Sequence, residues 1–305
     1  MNIVILGTGA MGGLFGAYLS KRNEVTLIDT KPELVEIINS EGMKVKEPDG
    51  SVTAYFPKAS LPTSYMPKMD LVIVFVKALY SESALKANSS IIGPDTYIMT
   101  LQNGSGHEDI LSKFADEEHI IIGTTQHNAN VSNLGTSNHG GSGKTYIGLI
   151  TGDESKLTSI TEEFTACSIE TYISKDVKKM VWDKMFTNVS VSALTGALQV
   201  PMGFIVKDEH AWILCCRLIK EAVDVAIALG MEFDYDEKVA QVKAVCENSP
   251  EGLTSIYADL KNGRRTEVDT ISGSVVAAGE KCGVPVPNHS FLVNFIHAME
   301  KRGGK

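Results

Sequence analysis

Lys184, Asn188 and Ser192 recur four residues apart in a stretch that reads as a helix, so all three fall along one helix face. Trp182, Met185, Phe186 and Val189 bracket that face and partly enclose it. An ammonium in such a place can stabilise negative charge developing on a carbonyl oxygen and then protonate it. An unperturbed lysine, with a reference pKa of about 10.4, carries that proton at neutral pH. Taken alone, the same spacing would also describe a polar stripe facing water. Two further polar positions stand at strand ends. Lys77 closes the apolar run Leu71 to Val76, and Asn103-Gly104 follows the run Tyr97 to Leu101. Both fall at the carboxyl edge of their strands, where open α/β sheets bind ligands.

Gly7-Thr8-Gly9-Ala10-Met11-Gly12 is a GxGxxG that follows an apolar strand and opens a helix. In that context Gly7 permits the tight turn, Gly9 lets backbone approach a pyrophosphate, and Gly12 lets helix pack on strand. The helix start then offers N–H groups to phosphate oxygens. A tight strand–helix connection with no ligand is the bland alternative. Asp29 closes the second strand, where a carboxylate can accept from the adenosine ribose hydroxyls and would repel a 2′-phosphate. That favours NADH, although Lys31 could offset the repulsion; Asp29 could also be a simple helix cap. Gly143-Lys144-Thr145 imitates the end of a nucleotide-phosphate loop. The glycine such a loop needs is replaced by Asn138, and a strand follows, which argues against a nucleotide kinase or ATPase.

These groups need a scaffold, and the chain supplies an alternating one. Strands are expected at Ile3–Leu6, Val25–Ile28, Leu71–Val76, Tyr97–Leu101, Ile120–Ile122, Tyr146–Ile150 and Ile169–Ile173. Helices are expected at Gly12–Lys21 and Pro32–Ser40, with a hairpin around Pro48-Asp49-Gly50. Thr124–Lys144, rich in Asn, Ser, Gly and Thr, reads as loop or irregular strand. Helices then follow at Lys175–Leu198, Glu209–Leu229, Asp236–Glu247, Val268–Cys282 and Asn288–Lys301. The expected fold is an α/β Rossmann-type domain with a doubly wound parallel sheet over residues 1–174, followed by an all-α C-terminal domain over residues 175–305.

Composition narrows the class. A formal charge of −9 argues against nucleic acid or an anionic membrane as partner, and no apolar run is long enough to span a bilayer. Five cysteines without a CxxC pair fit a reducing cytoplasm, and no signal peptide is visible at the first residues. Cys215 and Cys216 read as packing. His107, His119, His127, His139, His210, His289 and His297 are scattered without metal-ligand spacing, so no metal is expected.

The segments GTGAMGG at the N-terminus, VFVKA around Lys77, LQNGSG around Asn103, GTTQHNA at 123–129, WDKMFTN at 182–188, TSIYADL at 254–260 and RRTEVD at 264–269 together resemble the ketopantoate reductase family (2-dehydropantoate 2-reductases) over nearly the whole chain. The resemblance implies NAD(P)H-dependent reduction of ketopantoate to pantoate, a step of pantothenate biosynthesis, with NADPH the family default. It implies Lys184 as general acid and Asn188 as a hydrogen-bond partner of the oxygen being reduced. Glu267 becomes a carboxylate near that lysine and the nicotinamide ribose, and Lys77, Asn103 and Ala129 become cofactor contacts. Ser255 becomes a donor to the substrate carboxylate. A homodimer through the helical domain is expected by the same analogy.

This chain departs from the family where asparagines commonly line the substrate: it has Ser192, Met202 and Gly252. Ser192 can still hydrogen-bond; Met202 and Gly252 cannot replace an amide. A pocket without those partners should discriminate less well for the hydroxyl of a pantoate-type substrate. With Asp29, this opens a second reading, an NADH-dependent D-2-hydroxyacid dehydrogenase acting on branched or aromatic 2-oxo acids. A reading of another class is a dinucleotide-sensing module without turnover, which would have no evident use for the lysine–glutamate pair.

Overall fold

The computed structural model describes residues 1–62 and 66–303, so the last two residues of the expected second domain lie outside it. The chain forms two compact units: Met1–Gln102 with His107–Met180, and Asn103–Gly106 with Val181–Lys305.

The first unit contains β1 (Asn2–Leu6), α1 (Ala10–Leu19), β2 (Glu24–Ile28), α2 (Pro32–Glu41), β3 (Met43–Lys46), β4 (Val52–Tyr55), β5 (Lys58–Ser60) and β6 (Leu71–Val74). It continues with α3 (Ser81–Ala87), β7 (Tyr97–Thr100), α4 (Glu108–Leu111), β8 (Ile120–Thr125), β9 (Asn128–Asn133), β10 (Thr136–Gly141), β11 (Thr145–Leu149), α5 (Thr158–Ala166) and β12 (Thr171–Ile173). Eight strands form the main sheet in the order β12-β11-β8-β7-β6-β1-β2-β5. Every pairing in it is parallel except β11 against β8.

The period-2 alternation of the strands divides their side chains between two cores. Ile3, Ile5, Leu71, Ile73, Met99 and Ile121 pack with Leu14, Phe15 and Leu19 of α1 and Phe164 of α5. Val4, Leu6, Val72, Val74, Ile98 and Ile120 pack with Leu85 of α3 and Leu111 of α4. Both faces of the sheet are therefore covered, which is why these runs are continuously apolar.

The structure refines the sequence expectations here. The Leu71–Val76 strand ends at Val74, so Lys77 stands beyond it, at the entry to a 3₁₀ turn Ala78–Tyr80. The stretch from Thr124 to Lys144 takes the irregular-strand alternative: the β10–β9 register shifts between Thr136 and Ser137 and between His139 and Gly141. With the predicted hairpin, β9 and β10 build a second sheet, β4-β3-β10-β9. Its polar composition hid it, because its inward side chains satisfy one another. Tyr18 donates to Glu47 Oε1 at 2.6 Å, His139 Nδ1 lies 2.8 Å from Glu47 Oε2, and His127 Nδ1 lies 3.2 Å from His139 Nε2. Two of the seemingly scattered histidines thus meet in one buried network. Among the described residues, no group of His, Cys, Asp and Glu could hold a metal ion.

In the second unit, α6 (Val177–Thr187) enters from the first and runs through a π-helical turn, Asn188–Ser192, into α7 (Ala193–Leu198). The helix read from Lys175 to Leu198 is present from Val177 onward, with that π turn inside it. Then come α8 (Met202–Lys207), α9 (Glu209–Ala228), α10 (Tyr235–Asn248), α11 (Ser255–Lys261), α12 (Ser272–Cys282) and α13 (Pro287–Gly303). The Val268–Cys282 helix starts only at Ser272, because the preceding residues form a separate turn. The core joins Trp182, Met185, Phe186 and Val189 to the buried stripe of α9, including Leu218, Ile219, Ala222 and Val223. Glu221 on that stripe is buried and compensated: its carboxylate accepts from the backbone N–H groups of Asn288 and His289 at 2.9 and 3.0 Å, at the start of α13. Burial pulls the neighbouring His289 down to about 4, so its imidazole is neutral. Among the described residues, no helix is long and apolar enough to cross a membrane.

The turn between β1 and α1 depends on backbone crowding. A Cβ at Gly12 would lie 1.9 Å from the carbonyl oxygen of Gly7. Gly12→Ala should therefore destabilise the protein by about 1–3 kcal/mol or more, as forced overpacking does; thermal unfolding checks this, and an unchanged Tm would refute the crowding.

Candidate active site

The first unit holds the glycine loop at the carboxyl edge of β1. Gly7 has φ +94°, a left-handed value suited to glycine, and a Cβ there would meet the backbone of Val76 at 2.7 Å. Gly7 and Gly12 are thus required by the fold itself. Gly9 is different. It is exposed, has φ −72°, and nothing lies within 4 Å of where its Cβ would be. The protein does not need a glycine there, whereas a phosphate close to the backbone would. Gly9 is the N-cap of α1, no side chain caps that helix, and its first turn has no acidic residue. Thr8, Ala10 and Met11 complete the loop; Ser137 of β10 secures it by donating to the Ala10 carbonyl at 2.8 Å.

Asp29 does not cap α2, whose N-cap is Lys31 without a side-chain bond. Its Oδ2 accepts from the Thr8 N–H at 3.0 Å and its Oδ1 from the Lys31 N–H at 3.1 Å. Each carboxylate oxygen has a second lone pair, so the group can brace the glycine loop and still accept from ribose hydroxyls. Beside it opens a cleft of about 550 Å³, lined by Gly7, Asp29, Thr30, Val76, Tyr80 and Ala84 among others. The uncapped helix start, the open space at Gly9 and this cleft fit a dinucleotide: phosphates on the loop, ribose on Asp29, base in the cleft. Lys77 is half-buried beside the lining residue Val76. Ala129 lies on β9, opposite His139 of β10, and packs against the sheet core.

The second unit gathers the other predicted residues. Lys184 and Asn188 are one α-helical turn apart, but the π turn that begins at Asn188 widens the step to Ser192, so the three are not on the straight face expected from spacing. π turns leave carbonyl groups without their ordinary partners, and neighbouring segments supply them. Ser272 donates to the Val189 carbonyl at 3.4 Å, and Thr254 donates to the Ser192 carbonyl at 3.3 Å. Thr195 also meets Thr254 at 2.8 Å. These bonds bring the start of α12 and the start of α11, with its exposed first residue Ser255, against the helix that carries Lys184. Ser274 lies 3.5 Å from the sulfur of Met185, adding a second tie.

Glu267, half-buried, stands in the turn just before α12, where its carbonyl accepts from the N–H groups of Thr270 and Ile271. Asn103 is exposed and belongs to this unit through its neighbour: a Cβ on Gly104, φ +100°, would fall 1.8 Å from the Thr270 carbonyl oxygen. Segments far apart in sequence, around 103, 184–192, 255 and 267, are thus brought onto one unit. Lys184 as a whole residue is exposed, yet the surrounding protein desolvates its ammonium and lowers it to about 8; water reaching the side chain moderates that pull. An amine so placed is charged at neutral pH and releases its proton readily, which suits a general acid.

Two positions singled out as departures also meet. Gly252 accepts from the Met202 N–H at 3.0 Å, and a Cβ on Gly252 would lie 3.1 Å from the Met202 sulfur. Methionine at one position occupies the space that a side chain at the other would need. Sequence spacing did not indicate this pairing, nor the π turn, because neither depends on local periodicity.

Comparison with known proteins agrees with the geometry. The model of the family "Ketopantoate reductase PanE/ApbA" matches residues 3–152, and that of its C-terminal domain matches residues 176–300. The 2-dehydropantoate 2-reductase of Lactococcus lactis is 31% identical, covering 99% of this chain and 98% of the relative. That of Halobacterium salinarum is 28% identical, covering 99% and 100%. Among solved structures, a ternary complex of D-mandelate dehydrogenase with NADH and anilino(oxo)acetate has a TM-score of 0.92 at 30% identity, covering 100% and 99%. A PanE/ApbA family ketopantoate reductase from Ralstonia eutropha has a TM-score of 0.91 at 25% identity, covering both chains fully. With both domain models matched in order along the chain, the protein belongs to the ketopantoate reductase family.

Proposed function

We propose that this protein is a 2-dehydropantoate 2-reductase, an NAD(P)H-dependent oxidoreductase that reduces ketopantoate to pantoate in pantothenate biosynthesis. The observation that carries the reading is the desolvated Lys184 ammonium on a π-turned helix, tied by Ser272 and Ser274 to the segment that bears Glu267. When bound, the nicotinamide supplies the hydride. Lys184 stabilises the charge that builds on the carbonyl oxygen and gives that oxygen its proton. Asn188 donates a hydrogen bond to the same oxygen, Ser192 and Ser255 hold the substrate, and Glu267 orients the lysine. Gly7–Gly12, Asp29, Lys77, Asn103, Ala129 and Glu267 hold the cofactor. The domain expected over residues 1–174 takes the dinucleotide and that expected over 175–305 the substrate.

Asp29 favours NADH, since its carboxylate at the ribose position repels a 2′-phosphate. The Met202–Gly252 pair favours a second reading, an NADH-dependent D-2-hydroxyacid dehydrogenase. A thioether in place of amides suits an apolar substituent better than a hydroxyl, and the similar D-mandelate dehydrogenase was solved with NADH. We place the protein in the cytoplasm, where its five unpaired cysteines would stay reduced. We place a homodimer contact on the helical unit, whose α9 and α13 expose Ile213, Leu214, Phe291 and Phe295.

Steady-state rates with NADH and NADPH, each against ketopantoate and 2-oxoisocaproate, test these readings. Turnover of ketopantoate supports the reductase, preference for 2-oxoisocaproate with NADH supports the second reading, and cofactor binding without consumption refutes both. Lys184→Ala should lower kcat by about 10²–10⁴-fold while dinucleotide affinity persists; an unchanged kcat removes the lysine from the reaction. Because the acid must be protonated, the reductive kcat/KM should fall as pH rises through about 8 and stay level below it. A profile flat across that range would contradict the assignment. Gly9→Val should weaken dinucleotide binding without lowering Tm, read by fluorescence titration and thermal unfolding; equal loss of both would make Gly9 structural. Met202→Asn should raise kcat/KM for ketopantoate relative to 2-oxoisocaproate by about tenfold or more, the value of a single polar partner. An unchanged ratio would detach this pair from specificity.

A further inference from the structure

Glu267 sits between two anchored neighbours. Thr266 is only 2% exposed, and its N–H and hydroxyl both donate to Glu300 Oε1, at 2.7 and 2.6 Å. The same hydroxyl accepts from the Val268 N–H at 3.2 Å. On the other side, Asp269 Oδ1 lies 2.8 Å from Nε2 of His297, whose Nδ1 lies 2.9 Å from Glu300 Oε2. Glu300 and His297 stand one helical turn apart on α13. One imidazole and one carboxylate of that helix therefore close a bracket, Thr266–Glu300–His297–Asp269, around Glu267.

The bracket is more than a surface ion pair. Thr266 is buried, so the two donors it presents to Glu300 would be costly to leave unmade. An imidazole can donate from both nitrogens only when protonated. The charged groups acting on the ring are Glu300 from its own helix and Asp269 from the turn, and both push His297 above its ordinary value. Beyond them, Arg265 reaches the far oxygen of Asp269 at 3.5 Å. Glu300 is held below the usual carboxylate range despite its desolvation, by bonds from Thr266 and His297. The bracket also fixes the turn whose Thr270 carbonyl packs against Gly104, beside Asn103.

We infer that Glu300 and His297 are positioning residues for the reaction, holding the Thr266–Asp269 turn so that the Glu267 carboxylate keeps the orientation its role requires. The inference rests on the assignment of Glu267 made above. Neither residue touches the reacting atoms in this account; each acts through Glu267.

A double-mutant cycle tests it, with kcat and dinucleotide affinity measured for Glu300→Ala, Glu300→Gln, Glu267→Gln and the pair Glu300→Ala/Glu267→Gln. Misplacing a catalytic group by a fraction of a turn should cost about 10- to 100-fold in kcat. Glu300→Ala should show that loss, and should weaken dinucleotide affinity no more than Glu267→Gln does, since both effects pass through the Glu267 carboxylate. Glu300→Gln keeps an acceptor for Thr266 and should recover most of the rate. On the Glu267→Gln background, Glu300→Ala should cost little more, since its effect passes through the carboxylate already removed. Additive losses, or no recovery in Glu300→Gln, overturn the positioning role while leaving Glu267 in place. A wild-type kcat in Glu267→Gln removes the assignment of Glu267, and the inference with it. If Glu300→Ala does not fold, His297→Gln takes its place in the same cycle, with the same outcomes.

Discussion

Close approach of backbone at the start of α1 governs the first unit. The Gly7 carbonyl leaves no room for a Cβ at Gly12, and Gly7 itself packs against the backbone of Val76, two residues beyond β6. This contact sets the distance between helix and strands at the carboxyl edge of the sheet. Around it, Asp29 binds the Thr8 N–H, and the Gly7 N–H binds the Ile28 carbonyl at 2.8 Å. The open space at Gly9 exists because the other two glycines have already drawn the chain tight. A binding edge of this kind is assembled from backbone geometry, and its charge pattern comes from a helix start left uncapped.

The second unit relies on the same economy of backbone groups, expressed through a π turn. Inserting that turn after Thr187 frees carbonyl oxygens, and the hydroxyls of Ser272 and Thr254 reach across to accept that role as donors. Those bonds join three segments that the chain separates widely. The turn bearing Glu267 is braced in turn by Glu300 and His297, whose charges compensate one another at a partly buried place. The ammonium of Lys184 thus stands on a helix held by these polar ties and by the apolar packing of Trp182, Met185 and Phe186, and burial by that protein lowers its proton affinity.

Much of this was legible in residue order. Apolar runs of four to six residues identified the central strands because burial on both faces demands uninterrupted apolar character, as at Ile3–Leu6 and Leu71–Val76, although the latter strand ends at Val74. The glycine motif was legible because Gly7 and Gly12 answer steric demands of the turn, while Gly9 leaves open space at the helix start. The polar second sheet was not, since Ser137 and His139 are buried among partners that composition cannot reveal: the Ala10 carbonyl, Tyr18, Glu47 and His127. The antiparallel pairing of β11 with β8 was equally hidden, because strand direction depends on connection and not on side-chain pattern.

By itself, the sequence determined the α/β unit followed by helices, the loop at Gly7–Gly12, and the residue types able to bind a dinucleotide and donate a proton. Those follow from periodicity, from glycine's lack of a side chain and from the chemistry of lysine, all of which are local. Only the tertiary structure decided that Asp29 braces the glycine loop, that Met202 fills the space beside Gly252, and that Glu300 and His297 bind Thr266 and Asp269 on either side of Glu267. Each of these is a contact between residues remote in the chain, fixed by the room that packing leaves and by the polar groups that need partners there.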